Sequence, residues 1–395
     1  MPYAQQWSLT MQYQLTQTTV VQATYQGLKG THLIGSFAAP LNTPKLSDLL
    51  SNIRSHANFT ATTPNPWGIV QGNALVNESL MQSLFPYQNF FNQNLPEIYP
   101  RNGTSEYNGM YLSVNQRVSA GLTLLANYTW SKTMDNIAET NTTGGSGFGA
   151  TVPQNPFDLS KEWSVALYDQ PSRLKAGYFY ALPFGRGQRF LGTANYFLNL
   201  LIGNVTTSGI MSIQSGLPNT INLGNPGYFY STTPKGQSNC TVAAGCISNA
   251  LPNAYSLRPD IVPGVPLINP NWKKAPFAAI PTPYLNAAAF RTPGSLDNPA
   301  FGNAPRTLAG ARSPREFIFD MTVVKGLALS GRRRLDFTAT FINAFNHPVY
   351  FGAATRTLYI NSIGVFNTPA NFGNLNPGNT SGFSRTIQVG AKFTF

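Results

Sequence analysis

The chain has 395 residues, of which only 10% are charged and 12% are aromatic, and it contains 35 glycines and 30 prolines. Soluble domains average about 25% charged residues. The polarity comes instead from Asn, Thr, Ser and Gln, which suit strands, turns and loops. The net charge of +12 is spread along the chain, with no long basic run except at Arg332, Arg333 and Arg334. This distribution of charge does not indicate a nucleic-acid-binding protein. No stretch of the sequence approaches the roughly 20 apolar residues that a membrane-spanning helix needs.

Nine segments alternate apolar and polar residues with a period of two, which predicts β-strands. In chain order they are WSLTMQYQL, VVQATYQGL, residues 107 to 118, LTLLANYTWSK, RLKAGYFYALPF, NVTTSGIMSIQ, EFIFDMTVVKGLAL, RLDFTATFINAFN and RTIQVGAKFTF. In the first segment, for example, Trp7, Leu9 and Met11 alternate with Ser8 and Thr10. A length of about ten residues is what a tilted membrane-spanning strand requires.

The connections between these segments alternate between short and long. Short links lie near residues 16 to 18, 119 to 121 and 330 to 333, and a link of intermediate length runs from Phe184 to about Leu201. Long segments rich in Gly, Pro and Asn lie near residues 34 to 105, 133 to 170, 215 to 315 and 346 to 384. Short periplasmic turns and long extracellular loops are typical of bacterial outer-membrane barrels. The sequence therefore predicts an all-β protein of the cell outer membrane: an antiparallel up-and-down β-barrel, partial, with about 9 to 10 strands and long extracellular loops.

The two ends of the chain give different signals. If the last strand ends at the periplasmic rim, counting nine strands backwards places the start of the first strand outside the cell. Bacterial single-chain barrels have an even number of strands, so about nine strands with an external start suggest that preceding sequence is missing. Met1 is not followed by the basic and apolar regions of a signal peptide. We therefore expect residues 1–395 to be the C-terminal part of a longer barrel protein, or the product of an incomplete gene model.

Several aromatic side chains suit the interfacial girdles of a membrane barrel. They are Tyr128 and Trp130, at one strand end, and Trp7, Tyr178 and Tyr180, elsewhere in the predicted strands. Lys325 falls on the apolar register of its strand, close to the strand end. There its long stem allows the ammonium group to reach the membrane surface.

Residues with catalytic or metal-binding chemistry are few. The three histidines, His32, His56 and His347, have no paired spacing, and no nucleophile, base and orienting group can be assembled. We therefore expect neither an enzyme nor a protein with a metal or cofactor. Asp135 and Glu139 follow the fourth strand and could meet a cation or a polar ligand at the extracellular mouth, although we expect solvated loop carboxylates.

The two cysteines, Cys240 and Cys246, lie in the polar segment SNCTVAAGCIS. Their spacing permits either a disulfide across a small loop in an oxidising compartment or two unpaired thiols.

Several segments also carry a resemblance that extends over nearly the whole chain in the same order. They are PYAQQWSLTMQYQL with YQGLKGTHL, LTLLANYTWSKTMDN, ALPFGRGQRFLG, FGNAPRTLAGARSPREFIFDMTVVKGLAL, FINAFNHPVYFG and RTIQVGAKFTF. Together they resemble the C-terminal barrel of TonB-dependent receptors of the Oar-like type, especially the large paralogous sets of Acidobacteria. Members of that family have a carboxypeptidase-regulatory-like domain, a plug and a barrel of about 22 strands. No segment of this chain matches the sandwich, the plug or the energy-coupling box.

The end of the chain resembles the signal that the barrel-assembly machinery reads, with alternating apolar residues and a terminal aromatic residue. The residues concerned are Ile387, Val389, Ala391, Phe393 and Phe395. The resemblance also implies contact with outer-membrane lipid, and contact with the TonB complex only through the plug of a full-length parent.

The resemblance implies that the intact parent binds a substrate outside the cell and imports it in a TonB-dependent manner. Siderophores, vitamins, glycans and peptides all remain open as substrates. The alternatives are a passive porin or adhesion barrel and, from another class, a secreted glycan-binding β-protein.

Overall fold

The computed structural model describes most of the predicted strands and parts of the long connections. The described residues are 1–34, 43–55, 57, 61–64, 70–71, 74–75, 77–87, 101–118, 121–137, 153–155, 157–224, 230–232, 247–249, 257–272, 283–294, 300–329, 333–350, 357–360, 366–368, 372–375 and 384–395.

Nine long strands form one antiparallel sheet in which each strand pairs with its neighbours in sequence. They are β1 (Tyr3–Thr16), β2 (Thr19–Leu33), β3 (Gly103–Val118), β4 (Leu122–Asp135), β5 (Ser172–Ala181), β6 (Val205–Gln214), β7 (Glu316–Ala328), β8 (Arg334–Ile342) and β9 (Thr386–Thr394). These strands coincide with the nine alternating segments of the sequence. Within the described residues β1 pairs only with β2 and β9 only with β8, so the sheet is open.

The pairing registers place most of the apolar residues of the nine strands on one face. Leu9 lies opposite Tyr25, which lies opposite Met110 on its other side, and Met110 lies opposite Trp130. Directly paired residues project from the same face of a sheet. The apolar face is therefore continuous from β1 to β9. The other face carries mainly Ser, Thr, Gln and Asn, as the alternation predicts.

The strands are staggered as they are in a barrel wall. A row of directly paired residues runs from Gln116 in β3 through Met321 in β7 to Ile387 in β9. Gln116 is two residues from the end of β3 and Ile387 is seven residues from the end of β9. A shift of five residues is about 17 Å along the strands, against about 29 Å across six strand spacings. The ratio corresponds to a tilt of about 30°, close to the tilt of closed barrels.

The connections separate into two ends of the sheet. At one end, called the turn end, lie residues 17–18, 119–121, 182–204 and 329–333. At the other, called the loop end, lie residues 34–102, 136–171, 215–315 and 343–385. The long connections thus all emerge at the same end, as expected for the extracellular side of a barrel.

Helices and short strands occur within these connections. The helices are α1 (Leu46–Arg54), α2 (Leu80–Ser83) and α3 (Tyr196–Ile202), with 3-10 turns at Leu159–Glu162 and Ala287–Ala289. The short strands are Thr62–Pro64, Val70–Gln71, Ala74–Leu75, Asn77–Ser79, Ser164–Val165, Pro218–Asn219, Asn222–Gly224, Tyr230–Thr232, Ile247–Asn249, Asp260–Ile261, Phe290–Arg291, Leu308–Arg312, Thr357–Ile360 and Phe366–Asn367. Among the described helices, none has the length and apolar character needed to cross a bilayer.

The main buried apolar cluster lies in the long connections and not against the sheet. Its members come from three connections and include Leu49, Ile221, Leu257, Leu285, Phe290, Leu308, Leu358 and Phe372. Trp272 packs on this cluster with its ring 4.8 Å from that of Tyr284 and 6.2 Å from that of Tyr350. We call this packed set of connections the loop cap. The sequence predicted long connections but not their common core, because no alternation marks contacts between distant segments.

Candidate functional site

Among the described residues, three ion pairs join two of the long connections, two of them buried and the third partly buried. Each arginine belongs to the connection after β6, and each carboxylate lies at the end of β4 or in the connection after it. The pairs are Arg258 with Glu162, Arg306 with Asp135, and Arg312 with Asp169. Together they form a seam between the two connections, which we call the arginine seam.

The Arg258–Glu162 pair is bidentate and almost inaccessible to solvent. Arg258 Nη1 and Nη2 donate to Glu162 Oε2 and Oε1 at 2.7 and 2.8 Å, and both side chains are 2% exposed. Arg258 Nε also donates to Ala304 O at 2.9 Å, and Gln154 N donates to Glu162 Oε1 at 3.0 Å. These additional bonds offset the desolvation of the two charges, which a buried pair requires if it is to be stable.

The second pair connects a strand end to the loop cap. Asp135 is the last residue of β4, and its carboxylate and carbonyl oxygens both accept from Arg306 Nη2. Arg306 Nε donates to Glu162 O at 3.3 Å, which links this pair to the first. Burial lowers the pKa of Arg306 to about 10, which still leaves it charged at neutral pH. The expectation of a solvated carboxylate at Asp135 is wrong, because Arg306 covers it; Glu139 lies outside the described residues.

The third pair holds the connection after β4 against the strand. Arg312 Nη2 donates to Asp169 Oδ2 at 2.5 Å and Arg312 Nη1 to Asp169 O at 2.6 Å. The other carboxylate oxygen of Asp169 accepts from Thr133 N at 2.7 Å. The same connection adds a short strand, Ser164–Val165, beside the end of β4. The chain after β4 therefore folds back over the loop end of the sheet.

Beneath this returning segment, the polar face of the sheet carries a cleft of about 330 Å³. Its rim contains Tyr168, Gln170 and Arg173, and Arg173 Nη2 donates to Gln170 Oε1. Leu28 of β2 and Glu106 of β3 also line the cleft. The rest of the floor consists of six hydroxyl-bearing residues from β3 and β4: Ser105, Tyr107, Tyr111, Thr129, Ser131 and Thr133. Tyr168 and Gln170 flank Asp169, so the Arg312–Asp169 ion pair holds this rim in place.

The lining of this cleft suits a polar ligand. The hydroxyl groups can both donate and accept hydrogen bonds, and the hydroxyls of Tyr107 and Tyr111 are bonded to each other. Aromatic faces can stack on a sugar or an apolar ring, and the Arg173 guanidinium can bind a carboxylate through two donors. Sequence reasoning missed this cleft, although two tyrosines on the polar register were a usable signal.

The polar face is not uniformly polar. Leu125, Phe179 and Ile210 project from it beside Gly177 and form one side of a second cleft of about 440 Å³. This apolar strip departs from the strict alternation that the sequence predicts.

The predicted girdle residues all lie on the apolar face. Trp7 and Trp130 are nearer the loop end, Tyr128 lies at the middle of β4, and Tyr178 and Tyr180 are near the turn end. Trp7, Trp130, Tyr178 and Tyr180 thus occupy positions that a girdle requires, whereas Tyr128 does not. The girdle role itself stays a prediction. Cys240 and Cys246 lie outside the described residues.

The predicted assembly residues share the apolar face of β9. Ile387, Val389, Ala391 and Phe393 lie opposite Phe341, Ala339, Phe337 and Leu335 of β8. The ring of Phe395 stacks on that of Phe393 at 6.1 Å. Whether this strand is read as an assembly signal stays a prediction.

An antiparallel meander with one continuous apolar face, tilted strands and long connections at one end defines an outer-membrane β-barrel protein. The chain belongs to the family described as "Outer membrane beta barrel domain", whose model matches residues 1–388, and it is located in the outer membrane. The apolar face is accordingly the lipid-facing surface and the polar face lines the lumen.

One of the matching solved structures is that of an outer-membrane protein. The outer membrane transporter YddB from Escherichia coli matches with a TM-score of 0.39 and 8% sequence identity, over 99% of this chain and 32% of that protein. The chain thus spans about a third of the length of that transporter. No curated protein matches the chain.

Proposed function

We propose that the chain is the C-terminal barrel portion of a TonB-dependent receptor of the Oar-like type, which binds a polar substrate outside the cell and imports it. The observation that carries this proposal is a luminal cleft whose rim is held in place by the Arg312–Asp169 ion pair. Such a cleft suits a receptor that holds its ligand before transport. Asp135, Arg306 and Arg312 of the seam also belong to segments that carry the family resemblance.

The proposal assigns partners to the exposed surfaces. The open edges at β1 and β9 pair with further strands of the same barrel, because unpaired backbone groups are too costly in hydrocarbon. Outer-membrane lipid surrounds the apolar face, and the barrel-assembly machinery reads β9. The TonB complex acts through an N-terminal plug of the full-length protein. The chain performs no catalysis, and neither a cofactor nor a nucleic acid takes part.

Energy dependence tests the transport part of this proposal. Cells that express the full-length protein are given labelled siderophores, cobalamin, oligosaccharides and peptides, and uptake is measured with and without TonB. We expect uptake of one class to cease without TonB while binding at the cell surface persists. Uptake that continues at the same rate without TonB would identify a passive barrel and overturn the proposal.

Two neighbouring positions of β5 test the binding part. Arg173 lines the cleft, whereas Lys175, two residues further along the same luminal face, does not. We expect Arg173→Gln to weaken binding of the transported class by about 1.5–3 kcal/mol, the range for hydrogen bonds to charged groups. Lys175→Gln is the matched control and leaves binding unchanged. Equal effects of the two substitutions would show that net luminal charge, and not the cleft, attracts the ligand.

A further inference from the structure

The helix α3, at the turn end, is exposed in spite of being almost wholly apolar. Its sequence is YFLNLLI, and Tyr196, Phe197 and Leu201 are 68%, 76% and 74% exposed. Phe184, Phe190 and Leu191, in the hairpin before it, are exposed as well. A helix that is apolar on all sides is normally buried in protein or in a membrane, so this surface requires a cover.

The polar groups of this segment are used internally. Asn195 Oδ1 accepts from Leu198 N at 2.8 Å and caps the start of α3, and Asn199 Oδ1 accepts from Arg186 N at 2.7 Å. Gly203 N donates to Asn199 O at 2.9 Å. Phe184 and Phe190 pack with their rings 5.5 Å apart. The hairpin and the helix thus form one folded unit whose outer surface is apolar.

One contact shows on which side of the barrel wall this unit lies. Lys325 pairs with Val205 and Phe337 on the lipid-facing register. Its ammonium group donates to the carbonyl of Gly203, the residue that follows α3. A cation at the C-terminal end of a helix is also electrostatically favourable. Because the Lys325 side chain leaves the sheet on the lipid side, the end of α3 lies on that side and not under the lumen.

The charges of this segment match the surface of a phospholipid leaflet. Residues 182–204 contain Arg186 and Arg189 and no acidic residue. The Arg189 guanidinium lies over the ring of Phe190 at 5.6 Å from its centroid. An apolar surface with adjacent basic groups is typical of helices that lie in the membrane interface.

We infer that residues 184–202 form an interfacial anchor, which lies in the headgroup region of the periplasmic phospholipid leaflet. Phe197 and Leu201 enter the acyl-chain boundary, while Arg186 and Arg189 bind lipid phosphates. The anchor continues the lipid-facing surface of the barrel wall beyond the turn end. It is a lipid contact made by a connection between strands, in addition to the contacts of the strands themselves.

Cysteine accessibility tests this inference in the full-length protein. In a background with Cys240→Ser and Cys246→Ser, single cysteines are placed by Phe197→Cys and Leu201→Cys, and their reaction with a membrane-impermeant maleimide is followed in open outer-membrane fragments. Gln17→Cys, in the β1–β2 turn at the same rim, is the water-exposed control. Val389→Cys, exposed on the lipid-facing side of β9, is the lipid control.

We expect the cysteines at positions 197 and 201 to react at least about tenfold more slowly than that at position 17, since apolar burial below the headgroups withdraws them from water. The same protection must persist after purification and reconstitution into vesicles of phosphatidylethanolamine and phosphatidylglycerol. Reaction as fast as at position 17 would overturn the inference. Protection that is lost in the vesicles would also overturn it, because a periplasmic protein would then be the cover.

Discussion

Removing one partner of the Arg258–Glu162 pair should open the loop cap locally. Arg258→Met keeps much of the side-chain volume but removes the donors to Glu162 and Ala304 and leaves a carboxylate 2% exposed without its counter-ion. Loss of one partner of a buried pair costs about 3–5 kcal/mol. Because 1.36 kcal/mol is a factor of ten, the open state of this part of the cap should be populated roughly a hundredfold to a few thousandfold more.

Hydrogen exchange followed by mass spectrometry measures this opening on the protein in its membrane. The amides to follow are those of Gln154 and Arg258, which donate to Glu162 Oε1 and Gln154 Oε1. Arg291→Met is the matched control. Its ion pair with Asp260 lies in the same connection but is long, at 3.7 Å, and its guanidinium is largely exposed. Exposed pairs contribute only about 0–1 kcal/mol.

The double variant Arg258→Met with Glu162→Met separates charge from packing. It removes both charges, so no uncompensated carboxylate remains, and replacement of a whole buried pair by apolar residues is often neutral. We therefore expect the Arg258 amide, whose acceptor is Gln154 Oε1, to exchange at a rate close to that in the unaltered protein. The Gln154 amide loses its own acceptor, Glu162 Oε1, in this variant and is left out of the comparison. If Arg258→Met and Arg291→Met accelerate exchange equally, the seam does not hold the cap closed.

Three further predictions concern other parts of the molecule. Met211→Lys should destabilise the membrane-inserted barrel by up to about 2–4 kcal/mol, because Met211 faces lipid, whereas Ser212→Lys on the luminal face should not. Heat-modifiability on gels compares the two variants, and equal behaviour would contradict the assignment of faces. Burial raises the pKa of Tyr284 from its usual value of about 10 to about 12. The neutral hydroxyl therefore contributes about 2–3 kcal/mol to the stability of the cap below pH 10, and this contribution is lost as the pH rises through 12. Tyr284→Phe should abolish that part of the alkaline loss in exchange measurements, and an unchanged profile would argue against it. Deletion of Phe395, or addition of a charged tail after it, should lower the outer-membrane level of the full-length protein, and normal levels after both changes would refute an assembly role.

The sheet was readable from the sequence because alternation is a local signal. Each strand carries its own apolar register, and short turns fix the pairing of the next strand. Lys325 was likewise readable as a strand-end residue. The apolar strip of Leu125, Phe179 and Ile210 was not, since these residues sit on the register that the rule assigns to polar side chains.

The loop cap and the seam were not readable in the same way. Asp135 and Arg306 are 171 positions apart and Asp169 and Arg312 are 143 apart, and no local pattern marks such partners. From the sequence alone, a carboxylate at the end of a strand, such as Asp135, is expected to be solvated, because the residue that covers it lies far away in the chain. The tyrosines of the cleft gave a weak signal, because aromatic residues in a polar register also occur without a binding role.

The division of charge along the arginine seam couples the two connections that it joins. All three carboxylates belong to β4 or to the connection after it, and all three arginines belong to the connection after β6. Neither connection can bury these charges without the other, because a buried charge that lacks its counter-ion is costly. The two connections can therefore exclude water only together.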